Sequence, residues 1–244
     1  GVSLLIVSPN QVNAISPALE RAQQKGIPVI LVDRKTQSKK YTAFIGCDNY
    51  LLGKLVGDYI AQRLNGKGRI VEIRGLDDSS PAIDRHRGFV DALNAYPDLP
   101  IVASESGDWK EQSGSEVMKR VLSKTQDFDY VFAQNDRMAY GAYKVACAHG
   151  LQDKCRFVGV DGLAGKDGGL ELVRQGVLEA SMLYPTKGDE VIALAMKILR
   201  HEPFARDNYL PTSIVTRNNA ELILMESKDS EQQRSSLDML HRKV

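Results

Sequence analysis

Short runs of apolar and β-branched residues alternate along the chain with amphipathic stretches of helical length. The apolar runs predict strands at Leu4–Ser8, Pro28–Val32, Ala43–Ile45, Arg69–Ile73, Tyr130–Ala133, Phe157–Val160 and Leu178–Leu183, with a short one at Ser213–Thr216. Several are apolar throughout, the pattern of parallel strands covered on both faces. Between them, helical periodicity covers Ser16–Lys25, Asn49–Leu64, Ile83–Ala95, Gln112–Ser123, Met138–His149, Gly168–Gln175 and Asp189–Arg200. Ser16 is read as the cap of the first helix, with Pro17 in its first turn and Gly26 as its stop. Asn65-Gly66 closes the second, whose buried face is Leu52, Val56, Tyr59 and Ile60.

Repeated strand-then-helix order predicts a doubly wound α/β fold. One continuous sheet would be unusually long for 244 residues, so two lobes are expected. The pattern breaks after Asn218-Asn219. Ala220–Val244 is polar and charged, with Leu222, Met225, Leu237 and Leu240 as sparse apolar positions. It reads as an exposed helical connector, and its heptad signal fails at Asp229 and Ser236.

Composition removes several function classes. Lys and Arg number 32 against 31 Asp and Glu, so the balance does not point to nucleic acid or an anionic membrane surface. No apolar run approaches the length of a membrane span. The four histidines are scattered and no Cys-x-x-Cys occurs, so no metal site is expected. Cys147 and Cys155 leave two readings open, a disulfide or two buried thiols. No G-x-S-x-G elbow and no phosphate-binding glycine loop occurs, and the adjacent pair Asp77-Asp78 diverges in direction. The chain is therefore expected not to be an enzyme and to need no cofactor.

In open α/β sheets, ligands sit where loops converge at the carboxyl ends of strands. Those positions carry Asp33-Arg34, the segment Arg74–Ser80 leading into Asp84-Arg85, Gln134-Asn135-Asp136, and Asp161-Gly162. Carboxylate, guanidinium and amide groups form paired hydrogen bonds with vicinal hydroxyls. Trp109, the one tryptophan, follows the polar turn Ser106-Gly107-Asp108 and offers a flat apolar face for sugar C–H groups. The plain alternatives are a surface ion pair for Asp33-Arg34, a helix cap for Asn135 or Asp136, an ordinary turn for Asp161-Gly162 and a core or rim role for Trp109. For Asp136 the preferred reading is the cap of the helix that follows.

Val32-Asp33-Arg34, Gly46-Cys47-Asp48-Asn49 with Gly53 and Gly57, Arg85-His86-Arg87-Gly88-Phe89, Phe132-Ala133-Gln134-Asn135-Asp136-Arg137-Met138-Ala139 and Gly159-Val160-Asp161-Gly162 occur in the order seen in ribose-type periplasmic binding proteins. The chain resembles that family from residue 1 to about Asn219. It resembles equally the effector domains of LacI-type repressors and the extracytoplasmic sugar sensors of hybrid two-component histidine kinases. The resemblance implies ligand contacts from Asp33 and Arg34 in one lobe and from Arg85, Asn135 and Asp161 in the other, with Trp109 stacking on the sugar. Leu183 stands where ribose binders carry a ligand-touching Gln, so one hydroxyl contact is missing. The family's first two strands and helices also have no counterpart, which implies an N-terminal lobe lacking its opening β-α units.

By the same resemblance the N-terminal lobe comprises 1–47 plus 184–212, the C-terminal lobe 48–183 plus 213–219, and the connector 220–244. Crossovers are expected near Cys47-Asp48, Leu183-Tyr184 and Thr212-Ser213. The expected function is a periplasmic sensor that closes on a fructose- or ribose-like monosaccharide and signals to a membrane-linked histidine kinase. A transporter's binding protein comes second, because the connector has no role there. A repressor comes third, since no basic helix-turn-helix opens the chain. The expected partners are the sugar, a second copy through the connector, and the membrane only through flanking segments; no nucleic acid is expected to touch this segment.

Overall fold

The computed structural model describes residues 1–227. The chain starts with β1 (Leu5–Val7), α1 (Ser16–Gln24), β2 (Val29–Val32), β3 (Ala43–Cys47) and α2 (Asn49–Arg63). It continues through β4 (Ile70–Arg74), α3 (Ser80–Leu93), β5 (Ile101–Ser106), α4 (Glu111–Leu122), β6 (Tyr130–Ala133) and α5 (Asp136–Ala148). Then follow β7 (Arg156–Asp161), α6 (Gly169–Gln175), β8 (Ala180–Leu183), α7 (Gly188–Leu199), β9 (Asp207–Leu210) and β10 (Ile214–Thr216). Every predicted apolar run is a strand. Two further strands, β5 and β9, lie at sheet edges, where Ser104-Glu105-Ser106 and Asp207-Asn208 interrupt the apolar signal.

The strands form two sheets, in the orders β1-β2-β3-β9 and β10-β8-β7-β6-β4-β5. All pairings are parallel except β8 with β10. The fold is thus α/β and two-lobed, and the chain passes between sheets after β3, after β8 and after β9. One apolar cluster joins Ile30, Ile45 and Leu210 of the first sheet to Phe132, Val158 and Met182 of the second, through Cys47, Tyr184 and the α7 residues Val191 and Leu194. A second cluster lies on the other face of the six-stranded sheet, around Val71, Met118, Met138 and Phe157.

Local chemistry explains the helix ends. Asp48 caps α2, its carboxylate accepting from the Leu51 amide at 3.0 Å. Asn65 and Gly66 both take positive φ and end it. In α1 the first helical residue is Ser16 itself. Its hydroxyl donates to the Val12 carbonyl and leaves the cap position to Ile15, which corrects the capping expected there. Helices α2 and α3 touch backbone to backbone: a Cβ on Gly53 would lie 2.1 Å from the Arg85 carbonyl oxygen, and one on Gly88 2.0 Å from that of Tyr50. Only glycine permits that approach.

All three cysteines are free thiols; Cys47 and Cys155 are buried, and burial pushes the Cys155 thiol up to about 11. Of the expected connector, residues 220–227 are helical. Ala220 is buried and Ile223 and Leu224 pack against the second cluster, so this part rests on the lobe, with Leu222 and Met225 facing outward. Leu237, Leu240 and the heptad breaks lie outside the described residues. Among the described residues no helix is long and apolar enough to cross a membrane.

Among the described residues β1 pairs only with β2, and Ile6 on it is 44% exposed. An unpaired strand edge recruits other chains. We expect the 244-residue chain to self-associate through this edge, and Ile6→Lys to reduce the association. Light scattering on the parent and the variant tests this; a strictly monomeric parent would sink it.

Candidate sugar-binding site

Asp33, Arg34, Arg85, Trp109, Asn135 and Asp161 line one cavity of about 100 Å³ together with Pro81. Each arrives from a strand end. Asp33 and Arg34 follow β2, Arg85 lies on the helix after β4, Trp109 follows β5, Asn135 follows β6 and Asp161 ends β7. A second cavity of about 240 Å³ shares Asp33 and Asp161 and is otherwise mainly apolar, with Val32, Ile45, Leu163 and Tyr184 on its wall. The loops of the two lobes meet around this space. The Lys35 amide donates to Ser80 Oγ at 2.7 Å and the Val12 amide to the Asp78 carbonyl at 3.0 Å.

Arg85 is the most constrained member. It is 3% exposed, and its Nε donates to Asn49 Oδ1 at 2.9 Å while Nη1 donates to the Gln134 carbonyl. Its guanidinium lies 5.2 Å from the Tyr184 ring centroid and 5.7 Å from that of Trp109. Arg34 reaches Trp109 from the other lobe at 5.6 Å, pairs with Asp33 at 3.3 Å and donates to Asn10 Oδ1 at 3.0 Å. Two guanidinium groups therefore meet the single indole, a favourable arrangement for a ring whose faces carry negative potential. The indole edge passes over Gly75, where a Cβ would sit 2.1 Å from Cζ2, so the position excludes any side chain. Trp109 Nε1 is buried without a partner among the described residues.

Three of the lining residues hold positive φ: Asp33 at 66°, Trp109 at 66° and Asp161 at 119°. Such conformations cost on the order of 1–3 kcal/mol each and collect where surrounding structure holds a site in place. Burial raises the Asp161 carboxyl to about 6, with Arg85 opposing the rise and Asp33 adding to it. Two acidic side chains thus face two guanidiniums, and the cavity lining holds as many acidic groups as basic ones.

Asn135, not Asp136, caps α5: its Oδ1 accepts from the Met138 amide at 2.9 Å while Nδ2 donates to the Trp109 carbonyl at 2.9 Å. Asp136, read from sequence as the cap, is instead the first helical residue. It is turned into the lobe and accepts from the Gly162 amide at 2.8 Å and Ser181 Oγ at 2.7 Å. Burial, with the nearby Asp161 charge, pushes its carboxyl well above the usual range. Asn135 thus has one remaining proton and one remaining lone pair for a ligand. Sequence reading missed Tyr184, whose hydroxyl donates to the Asp33 carbonyl at 3.2 Å just past the crossing after β8, although it stands at a strand end like the others. A cavity of about 320 Å³ at the opposite end of β7 and β8 gathers Arg63, Arg156 and Arg217, but Glu179 there already accepts from Arg63 and Tyr130.

The family described as periplasmic binding protein domain matches residues 1–203. This chain belongs to that family. Among the relatives of this periplasmic binding protein domain, the ribose import binding protein of Salmonella typhimurium is 33% identical over 204 residues, covering 83% of this chain and 67% of that protein. The galactofuranose-binding protein of Escherichia coli K12 is 35% identical over 159 residues, 62% of this chain and 50% of the relative. Among solved structures, the fructose-binding periplasmic domain of a hybrid two-component system superposes with a TM-score of 0.98 at 43% identity, covering all of this chain and 81% of the other. A periplasmic solute-binding protein of an ABC transporter from Actinobacillus succinogenes, solved with D-allose, gives 0.81 at 28% identity over 90% of this chain and 79% of that one. By their names these relatives are binding proteins and sensor domains, not enzymes.

Proposed function

We propose that this domain closes on an uncharged monosaccharide, a fructose-like sugar first, and serves as the extracytoplasmic sensor of a two-component histidine kinase. The observation that carries the ligand class is the cavity lined by Asp33 and Asp161, Arg34 and Arg85, and Trp109: two acceptors suited to sugar hydroxyls, two donors suited to the same groups, and one apolar ring. With no surplus positive charge, a phosphate or carboxylate ligand is disfavoured. The sensor role is supported by the 43% identity to the fructose-binding sensor domain over the whole chain, residues 220–244 included. A second reading, binding protein of a sugar ABC transporter, is supported by the relation to the ribose import binding protein.

Calorimetric titration with fructose, ribose, allose, galactose and a sugar phosphate tests the ligand class. We expect one neutral monosaccharide to bind at one site. Binding confined to sugar phosphates or amino acids would overturn the reading.

A further inference from the structure

Glu72 lies in the middle of β4 and is fully buried, an ionisable side chain in a strand whose neighbours Val71 and Ile73 are core. A carboxylate is held in such a place only if donors surround it. Its Oε2 accepts from Ser104 Oγ on β5 at 2.6 Å and contacts His86 Nδ1 on α3 at 2.7 Å; its Oε1 accepts from Gln134 Nε2 beyond β6 at 3.1 Å. Gln134 is itself buried and fully committed. Nε2 also donates to the Ala82 carbonyl at 3.2 Å, and Oε1 accepts from the Gly75 amide at 2.9 Å, beside the Trp109 indole. The Gln134 carbonyl, finally, is the acceptor for Arg85.

These contacts form an unbroken polar chain from a half-exposed imidazole to the most buried cation of the cleft: His86, Glu72, Gln134, Arg85. We propose that Glu72 is a positioning residue for sugar binding, setting Arg85 through Gln134, and that His86 makes that setting respond to protonation. The proposal rests on the cavity around Arg85 being the sugar site.

The physical reason is local charge. Protonated His86 is the one cation in hydrogen-bond contact with Glu72 among the described residues, and the bond to Glu72 raises the imidazole above its ordinary value. The other charged groups facing His86 are Arg74 at the end of β4, which opposes protonation, and Asp77 in the following loop, which favours it. Arg74 is itself paired with Asp77 at 3.1 Å. When His86 loses its proton, Glu72 is left with the neutral donors Ser104 and Gln134. It then draws harder on Gln134, and that change alters the peptide that holds Arg85.

The test uses the full chain with ¹⁵N-arginine and ¹³C-histidine labels, fructose as the probe, and the variants Glu72→Gln and His86→Gln. Glu72→Gln preserves shape and can still accept from Gln134, so it should fold. In the parent, the Arg85 Nε–H resonance should move with the same midpoint as His86, without any ligand present. In both variants it should stay fixed through that pH range. The parent should bind fructose about five- to tenfold more weakly above that midpoint than below it, a coupling of ordinary size, and both variants should lose this alkaline weakening. An Arg85 resonance that ignores the His86 titration, or a variant that keeps the alkaline weakening, would overturn the proposal. Should the resonances track while no sugar binds, the positioning chain stands and the sugar assignment falls.

Discussion

Replacing Arg85 by alanine is expected to remove sugar binding from the measurable range and to lower stability as well. Charge-assisted hydrogen bonds are worth about 1.5–3 kcal/mol each, roughly 10- to 150-fold in affinity, so losing two from the Arg85 amino groups reaches about a hundredfold or more. The same substitution strands Asn49 Oδ1 and the Gln134 carbonyl inside the lobe. Stranded buried groups cost about 1–3 kcal/mol each, and in a domain of this size each kcal/mol moves the melting temperature by about 2–4 °C. Arg85→Lys separates the two effects, keeping the charge while losing the planar fork. Calorimetry and thermal melts on the parent and both variants decide it. If Arg85→Ala stays folded and binds like the parent, the site has been placed wrongly.

The second large effect is expected at Asp161, where binding and stability should respond to pH in opposite directions. Its folded carboxyl is raised to about 6 by burial, and Asp136 beside it is raised too. A raised folded value means the folded state holds the proton more tightly than the unfolded chain does. The stability this contributes is complete below the ordinary Asp value, about 4, and is lost as pH rises through about 6. Protonated His86 acts in the same sense at higher pH. The carboxylates lowered by hydrogen bonds, Glu20 from Ser38 and Lys40 and Glu105 from Arg120 and Lys124, lose their contribution only at more acid pH. Between pH 5 and pH 7 the unliganded domain should therefore become less stable as pH rises.

Sugar affinity should follow the reverse course on the acid side, because a protonated Asp161 gives up its charged acceptor. Asp161→Asn should weaken binding about 10- to 100-fold at pH 7, in line with one lost charge-assisted bond, and should abolish the fall below pH 6. Titrations at half-unit pH steps, paired with melts, check both limbs. An affinity that is flat from pH 5 to 7 in the parent would show that Asp161 does not touch the ligand.

Much of this site could be read before any coordinates because parallel strands broadcast themselves. Runs such as Tyr130–Ala133 and Phe157–Val160 are apolar on both faces, and the polar residue that ends each one must lie in the crevice. Edge strands send a weaker signal: β9 shows only Asp-Asn-Tyr-Leu because its outer side faces water. The cap of α5 falls on Asn135 and not on the preferred Asp136 for a related reason. Both residue types cap helices, and only the extended backbone of Asn135 together with the small residues Gly159 and Gly169, which make room for the Asp136 carboxylate, tells them apart. Glu72 was invisible as a functional residue because its partners, His86, Ser104 and Gln134, come from three other segments of the chain.

The glycine contacts between α2 and α3 have a mechanical consequence. The Arg85 peptide lies directly against Gly53, and its guanidinium is bonded to Asn49, the first residue of α2 and the second past the end of β3. With no side chain at the Gly53 and Gly88 contacts, the two helices have no slack there in which to slide, so they behave as a crank of fixed radius. Whatever angle the lobes adopt, the distance from the crossing segment to the guanidinium is constant. If Arg85 holds the sugar as proposed, the load is applied one hydrogen bond away from the point where the chain leaves the first sheet.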